Sequence, residues 1–207
     1  MIKLCVLDFD STLMDGETIS FIASGVGKEA QVADITARAM AGELDFYESL
    51  VERVRLVKGL SLQKALQITS NLPFISGASE IISYLKSKDI KVIVFSGGFH
   101  IATDEAQKKL KFDANFANDL HHKDGILTGN VGGEMMFGDS KGKMLIRLKQ
   151  ILNLKSDEVA CVGDGANDIS MFKEAGTCIA FCANEILKKH ATHIVDTKDL
   201  RELKQIL

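Results

Sequence analysis

Two aspartates at the end of an apolar run are the residues of this sequence best suited to chemistry. The stretch from Leu4 to Leu13 reads LCVLDFDSTL and predicts a buried strand that ends at Asp8 and Asp10. Alternation along a strand points both carboxylates the same way, so a cation or proton must offset their repulsion. One carboxylate could attack phosphorus while the other transfers protons. The alternative is a turn in which Asp10 or Ser11 only satisfies backbone donors.

A second apolar run ends in small residues that could bind an anion. Ser96, Gly97 and Gly98 follow a predicted strand from Lys91 to Phe95, and the pattern predicts a helix that starts at Phe99. Small residues let backbone N–H groups approach an anion closely, and a helix N-terminus adds partial positive charge. The alternative is a structural turn in which Ser96 only caps the helix.

A lysine and a second acidic strand end complete the set. Lys141 lies in DSKGK at the first turn of a predicted helix, where a cation is unfavourable unless an anion binds nearby. A solvated surface lysine is the alternative, and Lys143 competes for the same role. The run VACVGDGAND places Asp164 after a predicted strand, with Asn167 and Asp168 at a helix start where Asp168 could act only as a cap. Oxygen ligands on such a short loop suit Mg²⁺.

The order of predicted elements indicates how these residues come together. From Gly77 onward helices and strands alternate, which favours a parallel sheet whose strands share one carboxyl edge. Asp8, Asp10, Ser96 and Asp164 should then converge at that edge. Carboxylates gathered around a phosphate repel one another unless a divalent cation neutralises them, so the set predicts Mg²⁺.

The segment after the first strand has a different pattern. Residues 14–73 contain helical periodicity and no convincing strand, and one of the predicted helices runs from Glu43 to Lys58. Pro73, the single proline, lies where this segment returns to the rest of the chain. We therefore predict a core domain formed by residues 1–13 and 74–207 and a helical cap domain formed by residues 14–73.

The later part of the chain carries a hairpin signal. Asp124-Gly125 lies between short β-like runs in the segment from His121 to Val131, which predicts an antiparallel flap. A helix from about Asp168 to Glu174, two further strands and a terminal helix are expected to complete the core.

Composition limits the class of protein. The chain has 207 residues, 46% hydrophobic and 26% charged, as is typical of a globular protein. A net charge of -3 gives no electrostatic reason to expect nucleic-acid binding. There is no apolar run long enough to span a membrane, and the N-terminus does not resemble a secretory signal. We expect a cytoplasmic protein.

Taken in order, these motifs resemble the haloacid dehalogenase superfamily of phosphotransferases, whose pattern is DxDx(T/V), a strand-terminal Ser or Thr, a Lys, and GDxxxD. DFDSTL, SGGF, the Lys141 segment and GDGANDISM are more narrowly similar to the phosphoserine phosphatase family within it. The resemblance covers nearly the whole chain. It implies an α/β fold with a Rossmann-like parallel sheet and helices on both faces, a helical-bundle cap inserted after the first strand, and a small β-hairpin flap.

The resemblance also implies residue roles. Asp8 would be the nucleophile and Asp10 the general acid and base. Asp8, the main-chain carbonyl of Asp10 and Asp164 would hold Mg²⁺, with Asp168 acting through water. The residues that would bind phosphate are Ser96, Gly97, Lys141 and Asn167.

Glu17 and Arg53 are the candidates for reading the rest of the substrate. Arg53 shares a helix face with apolar Leu50 and Val57, so its guanidinium needs an anionic partner. By resemblance, Glu17 would hold the ammonium and Arg53 the carboxylate of an amino acid. The alternatives are that the helix dipole alone favours Glu17, and that Arg53 pairs with Glu17 or Glu52 inside the cap.

The expected function is Mg²⁺-dependent hydrolysis of O-phospho-L-serine to L-serine and phosphate through an aspartyl-phosphate, the last step of serine biosynthesis. Another small phosphomonoester is the alternative substrate, and a catalytically silent binding protein is a third interpretation. The expected partner is the small-molecule substrate, without nucleic acid or membrane, and the protein would be a monomer or homodimer.

Overall fold

A seven-stranded sheet forms the centre of the molecule. The computed structural model describes residues 1–40 and 43–207, apart from the side chain of Met40. The strands are β1 (Leu4–Asp8), β2 (Lys91–Phe99), β3 (Ala114–Lys123), β4 (Ile126–Gly133), β5 (Val159–Gly163), β6 (Thr177–Phe181) and β7 (His193–Val195). Their order is β4-β3-β2-β1-β5-β6-β7, and all neighbours are parallel except the antiparallel pair β3 and β4.

Helices surround this sheet. They are α1 (Thr18–Ser24), α2 (Glu29–Met40), α3 (Phe46–Leu56), α4 (Leu62–Thr69), α5 (Ala78–Ser87), α6 (His100–Leu110), α7 (Ser140–Leu152), α8 (Ile169–Phe172) and α9 (Glu185–Lys188). Short 3₁₀ segments cover Ser156–Glu158, Ala166–Asp168 and Leu200–Gln205. Helices α1 to α4 lie between β1 and β2 in the chain, and we call them the helical insert. None of the helices in the described ranges is long and apolar enough to cross a membrane.

Alternation along the central strands builds a core on each face. Cys5 and Leu7 of β1 pack in one buried cluster with apolar residues of α5 and α6. Leu4 and Val6 point the other way and pack with residues of α7 and α8. A strand buried on both faces explains why β1 reads as a continuous apolar run. The predicted parallel α/β sheet with helices on both faces is confirmed.

Strand register brings the acidic strand ends to one edge. Asp8 is paired with Phe95, the residue before Ser96 in β2. On the other side Leu7 is paired with Val162, so Gly163 lies level with Asp8 and Asp164 follows at once. The carboxyl ends of β1, β2 and β5 therefore meet, as parallel pairing requires.

The helical insert packs on the same edge. Its buried residues Leu50 and Val54 share a cluster with Phe99 of β2 and Leu127 of β4. Helix α3 begins at Phe46 and not at Glu43 as predicted. The cause is a capping box at Asp45, whose side chain accepts the Glu48 N–H while the Glu48 side chain accepts the Asp45 N–H.

The predicted hairpin is present between β3 and β4. Asp124 and Gly125 both have positive φ, of 52° and 74°, as the tight turn of a two-residue hairpin requires. The hairpin is joined to the helical insert, because the N–H groups of Gly59 and Leu62 donate to the carbonyls of Leu127 and Gly125. The antiparallel flap is therefore hydrogen-bonded to the loop between α3 and α4.

Element boundaries differ from the prediction in the last third of the chain. The helix expected from Asp168 to Glu174 is a 3₁₀ turn followed by the four-residue helix α8. The expected terminal helix is the 3₁₀ segment Leu200–Gln205, and helix α9 was not predicted. Segments this short carry too few residues for a helical periodicity to be visible.

Candidate active site

Asp8 is buried at the end of β1 and its position is fixed by two donors. Its Oδ1 accepts the N–H of Phe9 at 2.7 Å and lies 2.6 Å from the Nζ of Lys141. Burial raises the pKa of Asp8 well above its usual value, and the charge of Asp168 adds to this, while Lys141 opposes both. The carboxylate depends on a positive partner to stay ionised.

Lys141 is that partner, and it lies on the second residue of α7. The side chain is 3% exposed, and its Nζ lies 2.6 Å from both Asp8 Oδ1 and Asp168 Oδ1. Burial alone would lower the pKa of Lys141, but the two carboxylates raise it. Lys143, the competing residue, is exposed and pairs with Asp139 at 2.6 Å. The structure brings Lys141 to the acidic cluster and leaves Lys143 on the surface.

Asp168 is fully buried and orders the loop that follows β5. Its Oδ2 accepts the N–H groups of Asp164 and Gly165 at 3.0 and 3.1 Å. Its side chain does not cap helix α8, although it accepts the N–H of Gly165, the N-cap of the 3₁₀ turn Ala166–Asp168. Because its other oxygen contacts Lys141, a role as a cap alone is wrong. Asp168 instead fixes the backbone that carries Asp164.

Three carboxylates form a cluster that fits a metal ion. One oxygen each of Asp8, Asp164 and Asp168 lie within 4.8 Å of one another. Burial, together with the charge of Asp168, raises the pKa of Asp164 to about 7, while the charge of Lys141 opposes the shift. An all-oxygen donor set of this kind suits a hard divalent cation.

Asp10 has a separate set of partners. Its Oδ1 accepts both the N–H and the hydroxyl of Thr18, the first residue of α1. Burial raises the pKa of Asp10, and the hydrogen bonds from Thr18 oppose the shift. A side chain at Gly98 would come within 2.8 Å of Asp10 Oδ2, so that glycine is required by close approach. Thr18 was not predicted as a site residue; the signal in the sequence is a hydroxyl residue at the start of the helix that follows the acidic strand.

The helix predicted after the glycine pair is present and starts one residue later than expected, with Phe99 as its N-cap. Strand β2 continues through Ser96 and both glycines to Phe99, and α6 begins at His100. A register shift in the pairing with β3 accommodates the small residues. Ser96 is buried, and its Oγ accepts the Gly98 N–H at 2.9 Å, so it does not cap the helix. The donors here are backbone N–H groups of the strand end and the Ser96 hydroxyl, directly before the N-terminus of α6.

A cavity of about 420 Å³ lies between the sheet edge and the helical insert. Its lining includes seven residues selected from the sequence, which are Asp8, Asp10, Glu17, Arg53, Gly97, Asp164 and Asn167. The other three lie behind this lining: Lys141 and Asp168 beside Asp8, and Ser96 beside Gly98. Asn184, which was not predicted, also lines the cavity, and its N–H donates to the Asp164 carbonyl.

Glu17 and Arg53 face the cavity from the helical insert. Burial, together with the charge of Asp10, raises the pKa of Glu17 to about 8, while Arg53 opposes the shift. Burial lowers the pKa of Arg53, and Glu17 and Asp10 oppose this. The Arg53 Nε donates to the Ser49 carbonyl at 3.2 Å.

The sequence left open an ion pair of Arg53 with Glu17 or Glu52 inside the insert, and the described residues do not form it. Glu52 lies 3.5 Å from Arg38, and within residues 1–40 and 43–207 neither Glu52 nor Glu17 forms an ion pair with Arg53. Nitrogens of the Arg53 guanidinium other than Nε are therefore available to an anion in the cavity.

Comparison with known proteins identifies the family. A family model described as haloacid dehalogenase-like hydrolase matches residues 2–176. The chain belongs to the haloacid dehalogenase-like hydrolases. The resemblance drawn from the motifs is confirmed, and so is the prediction of an enzyme.

Members of the haloacid dehalogenase-like hydrolases that resemble the chain over its whole length include phosphoserine phosphatases. The phosphoserine phosphatase of Campylobacter jejuni subsp. doylei is 58% identical over 207 residues, which is all of both chains. A solved phospho-aspartyl intermediate analogue of phosphoserine phosphatase is 45% identical, with a TM-score of 0.94 over 100% of this chain and 99% of the other. A substrate-bound phosphoserine phosphatase complex is 44% identical, with a TM-score of 0.95 and the same coverage.

Proposed function

We propose that this hydrolase converts O-phospho-L-serine and water to L-serine and phosphate. The observation that carries the proposal is one cavity with Asp8, Asp10 and Asp164 on the sheet side and Glu17 and Arg53 on the insert side. The sheet side has the groups for phosphoryl transfer, and the insert side has one acid and one base for an amino acid. The likeness to proteins named phosphoserine phosphatase supports it.

Asp8 would act as the nucleophile. Its buried carboxylate attacks phosphorus and forms an aspartyl-phosphate, while Asp10 gives a proton to the departing serine oxygen. Asp10 then removes a proton from the water that cleaves the acyl phosphate, which returns both residues to their first state. Lys141 balances charge beside Asp8, and Ser96, Gly97 and Asn167 hold the phosphoryl oxygens.

Asp8, Asp164 and the main-chain carbonyl of Asp10 would hold Mg²⁺. Asp168 would act through water, because one of its oxygens contacts Lys141 and the other accepts two backbone N–H groups. When bound, the ion neutralises the carboxylates and polarises the phosphoryl oxygens.

The other end of the substrate would be read by the insert. Glu17 would accept the ammonium, and Arg53 would bind the carboxylate with two parallel hydrogen bonds. Residues 14–73 would thus act as a cap domain over a core of residues 1–13 and 74–207. The reaction would be the last step of serine biosynthesis in the cytoplasm.

The test is phosphate release from four compounds with and without Mg²⁺. Phosphoserine should be the best substrate; phosphoethanolamine lacks its carboxylate, 3-phosphoglycerate lacks its amine, and p-nitrophenyl phosphate lacks both. Asp8→Asn should abolish turnover of all four. Near-normal Mg²⁺-dependent hydrolysis by that variant would show that Asp8 is not the nucleophile.

The same assay tests the substrate assignment. Arg53→Ala should lower kcat/KM roughly 10- to 100-fold on phosphoserine, the range for a lost charge-assisted hydrogen-bonded pair, with little effect on phosphoethanolamine. Arg55→Ala is the matched control, because Arg55 lies on the same helix and is exposed. Equal losses by Arg53→Ala on all four compounds would contradict the role of Arg53 in amino-acid recognition. The protein would then be a phosphatase of another small phosphomonoester.

A further inference from the structure

An exposed pair of aromatic rings joins the helical insert to the core beside the cavity, since the neighbouring residues Phe46 and Gly138 are part of its lining. The rings of Tyr47 and Phe137 are stacked, with centroids 5.3 Å apart and planes 17° from parallel. Tyr47 is 41% exposed and Phe137 is 56% exposed. Rings this exposed to water add little to the hydrophobic cores of the insert or the sheet. Their main packing interaction is therefore with each other.

Each ring is next in the chain to a residue that lines the cavity, Phe46 for Tyr47 and Gly138 for Phe137. Phe137 lies in the loop between β4 and α7, where its N–H donates to the Ser140 hydroxyl and its carbonyl accepts the Ser140 N–H. That turn leads directly into Lys141. Tyr47 lies in the first turn of α3, next to Phe46, whose ring would come within 2.7 Å of a side chain at Gly97.

The insert is held to the core elsewhere by backbone hydrogen bonds. At the chain crossings, the Asp15 N–H donates to the Pro73 carbonyl and the Ile75 N–H to the Leu13 carbonyl. The β3–β4 hairpin adds bonds to the loop after α3. Among the described residues no backbone hydrogen bond joins the first turn of α3 to the core. In the described part of the chain, the start of α3 is therefore joined to the core by side-chain packing and not by backbone hydrogen bonds.

We propose that Tyr47 and Phe137 are positioning residues that hold the insert closed over the cavity and so place Arg53 on the substrate. This inference rests on the proposed function for the identity of the substrate. The stack ties the start of α3 to the loop before Lys141, and Arg53 lies six residues further along that helix. Opening at the stack withdraws Arg53 and Phe46 together.

The expected effect follows from the strength of an aromatic pair. Loss of such a pair lowers the ratio of closed to open protein roughly 2- to 10-fold. The apparent affinity for a ligand that needs the closed form falls by the same factor when the open form predominates. Chemistry inside the closed form is unchanged.

The kinetic test uses Tyr47→Leu, Phe137→Leu and the double variant. Each single variant should raise KM for phosphoserine roughly 2- to 10-fold with kcat within about twofold of the parent, and the double variant should be no worse than either. Tyr47→Phe keeps the ring and should restore the parent KM. A fall in kcat at constant KM, additive effects in the double variant, or a Tyr47→Phe variant as impaired as Tyr47→Leu would each overturn the proposal.

Tyr84→Leu is the matched control for loss of an aromatic side chain. Tyr84 packs against the apolar cluster on the α5 side of the sheet, away from the cavity. Its replacement should leave KM at the parent value, and thermal unfolding of every variant checks that the fold is intact. A rise in KM for Tyr84→Leu equal to that for Tyr47→Leu would overturn a specific role of the stack.

Tyrosine fluorescence gives a second readout that does not depend on turnover. The chain has two tyrosines and no tryptophan, so Tyr84→Phe leaves Tyr47 as the one tyrosine reporter. In that background Phe137→Leu should raise acrylamide quenching of Tyr47 about twofold. Inorganic phosphate with Mg²⁺ should lower quenching when Phe137 is present. Quenching that is the same with and without Phe137 would overturn the proposal.

The two proposals fail in different ways. If the protein hydrolyses p-nitrophenyl phosphate but not phosphoserine, the proposed substrate is wrong. In that case quenching of Tyr47 with and without Phe137 still decides whether the stack holds the insert closed.

Discussion

Each buried carboxylate at the sheet edge has its own partners, and these separate Asp8 from Asp10. Asp8 contacts an ammonium group, that of Lys141, which favours an ionised carboxylate. Asp10 contacts the N–H and hydroxyl of Thr18, which fix one oxygen and leave Oδ2 beside Gly98. The first environment suits a nucleophile and the second suits a group that gives and takes a proton.

Thr18 is therefore expected to act through Asp10. Thr18→Val removes the hydroxyl donor and keeps the shape, so kcat on phosphoserine should fall roughly tenfold, the cost of one hydrogen bond to a charged group. The loss should be smaller on p-nitrophenyl phosphate, whose leaving group needs no proton. Steady-state kinetics on both substrates measure this.

Thr18→Ser keeps the hydroxyl and should recover most of the activity. Equal losses for both substrates, or a serine variant no better than the valine variant, would show that Thr18 only packs in the insert.

Strand β2 runs through the site with extended backbone before helix α6 begins at His100. Ser96 and two glycines continue the strand to Phe99. The glycines leave room for Asp10 on one side and for Phe46 on the other. The end of β2 therefore forms part of the cavity wall, to which it contributes Gly97, Gly98 and Phe99.

Gly98→Ala should therefore damage catalysis more than folding. The added carbon would lie 2.8 Å from Asp10 Oδ2 and 3.0 Å from Ser96 Oγ, so Asp10 must turn away from its Thr18 donors. We expect kcat to fall at least about tenfold, since a shift of this size misaligns a proton-transfer group. Kinetics and thermal unfolding together measure the two effects.

Gly138→Ala is the comparison for that variant. A side chain at Gly138 would meet one atom within 4 Å, at 3.8 Å, which is ordinary contact. It should retain most of its activity. If both alanine variants behaved alike, close approach at Gly98 would not be the cause.

The molecule as a whole places a charged cavity between two parts that contribute different groups. The sheet edge supplies three carboxylates to the lining, Asp8, Asp10 and Asp164, and the insert supplies Glu17 and Arg53. Glu17 has a pKa of about 8 because it is buried next to Asp10, with Arg53 opposing. Its protonation therefore depends on how the two parts come together.

This predicts a pH dependence specific to the amino-acid substrate. As pH rises through 8, Glu17 changes from neutral to ionised, and only the ionised form pairs with an ammonium. The ratio of kcat/KM on phosphoserine to that on p-nitrophenyl phosphate should rise roughly fivefold between about pH 7 and about pH 8. Groups that serve both substrates cancel in this ratio.

Glu17→Gln should lower the ratio and make it independent of pH over the same interval. A ratio that stays flat in the parent protein, or that rises equally in Glu17→Gln, would contradict the assignment of Glu17 to the ammonium.

Much of this arrangement is contained in local sequence. The alternation of helices and strands, the apolar run of β1 and the charges at strand ends predict a parallel sheet and a common acidic edge. They do so because periodicity and burial act over a few neighbouring residues. The Asp124-Gly125 turn is local in the same way, since two residues with positive φ define it.

Tertiary structure decided the contacts made between distant segments. Lys141 and Lys143 are two residues apart and alike in sequence, yet α7 turns one to Asp8 and the other to solvent. The Thr18 donors to Asp10, the course of β2 beside Asp10, and the stack of Tyr47 on Phe137 also depend on how separate elements pack. The local pattern predicts which side chains lie at the end of a strand. Whether two such side chains come into contact depends on the register and packing of both elements, which the local pattern does not determine.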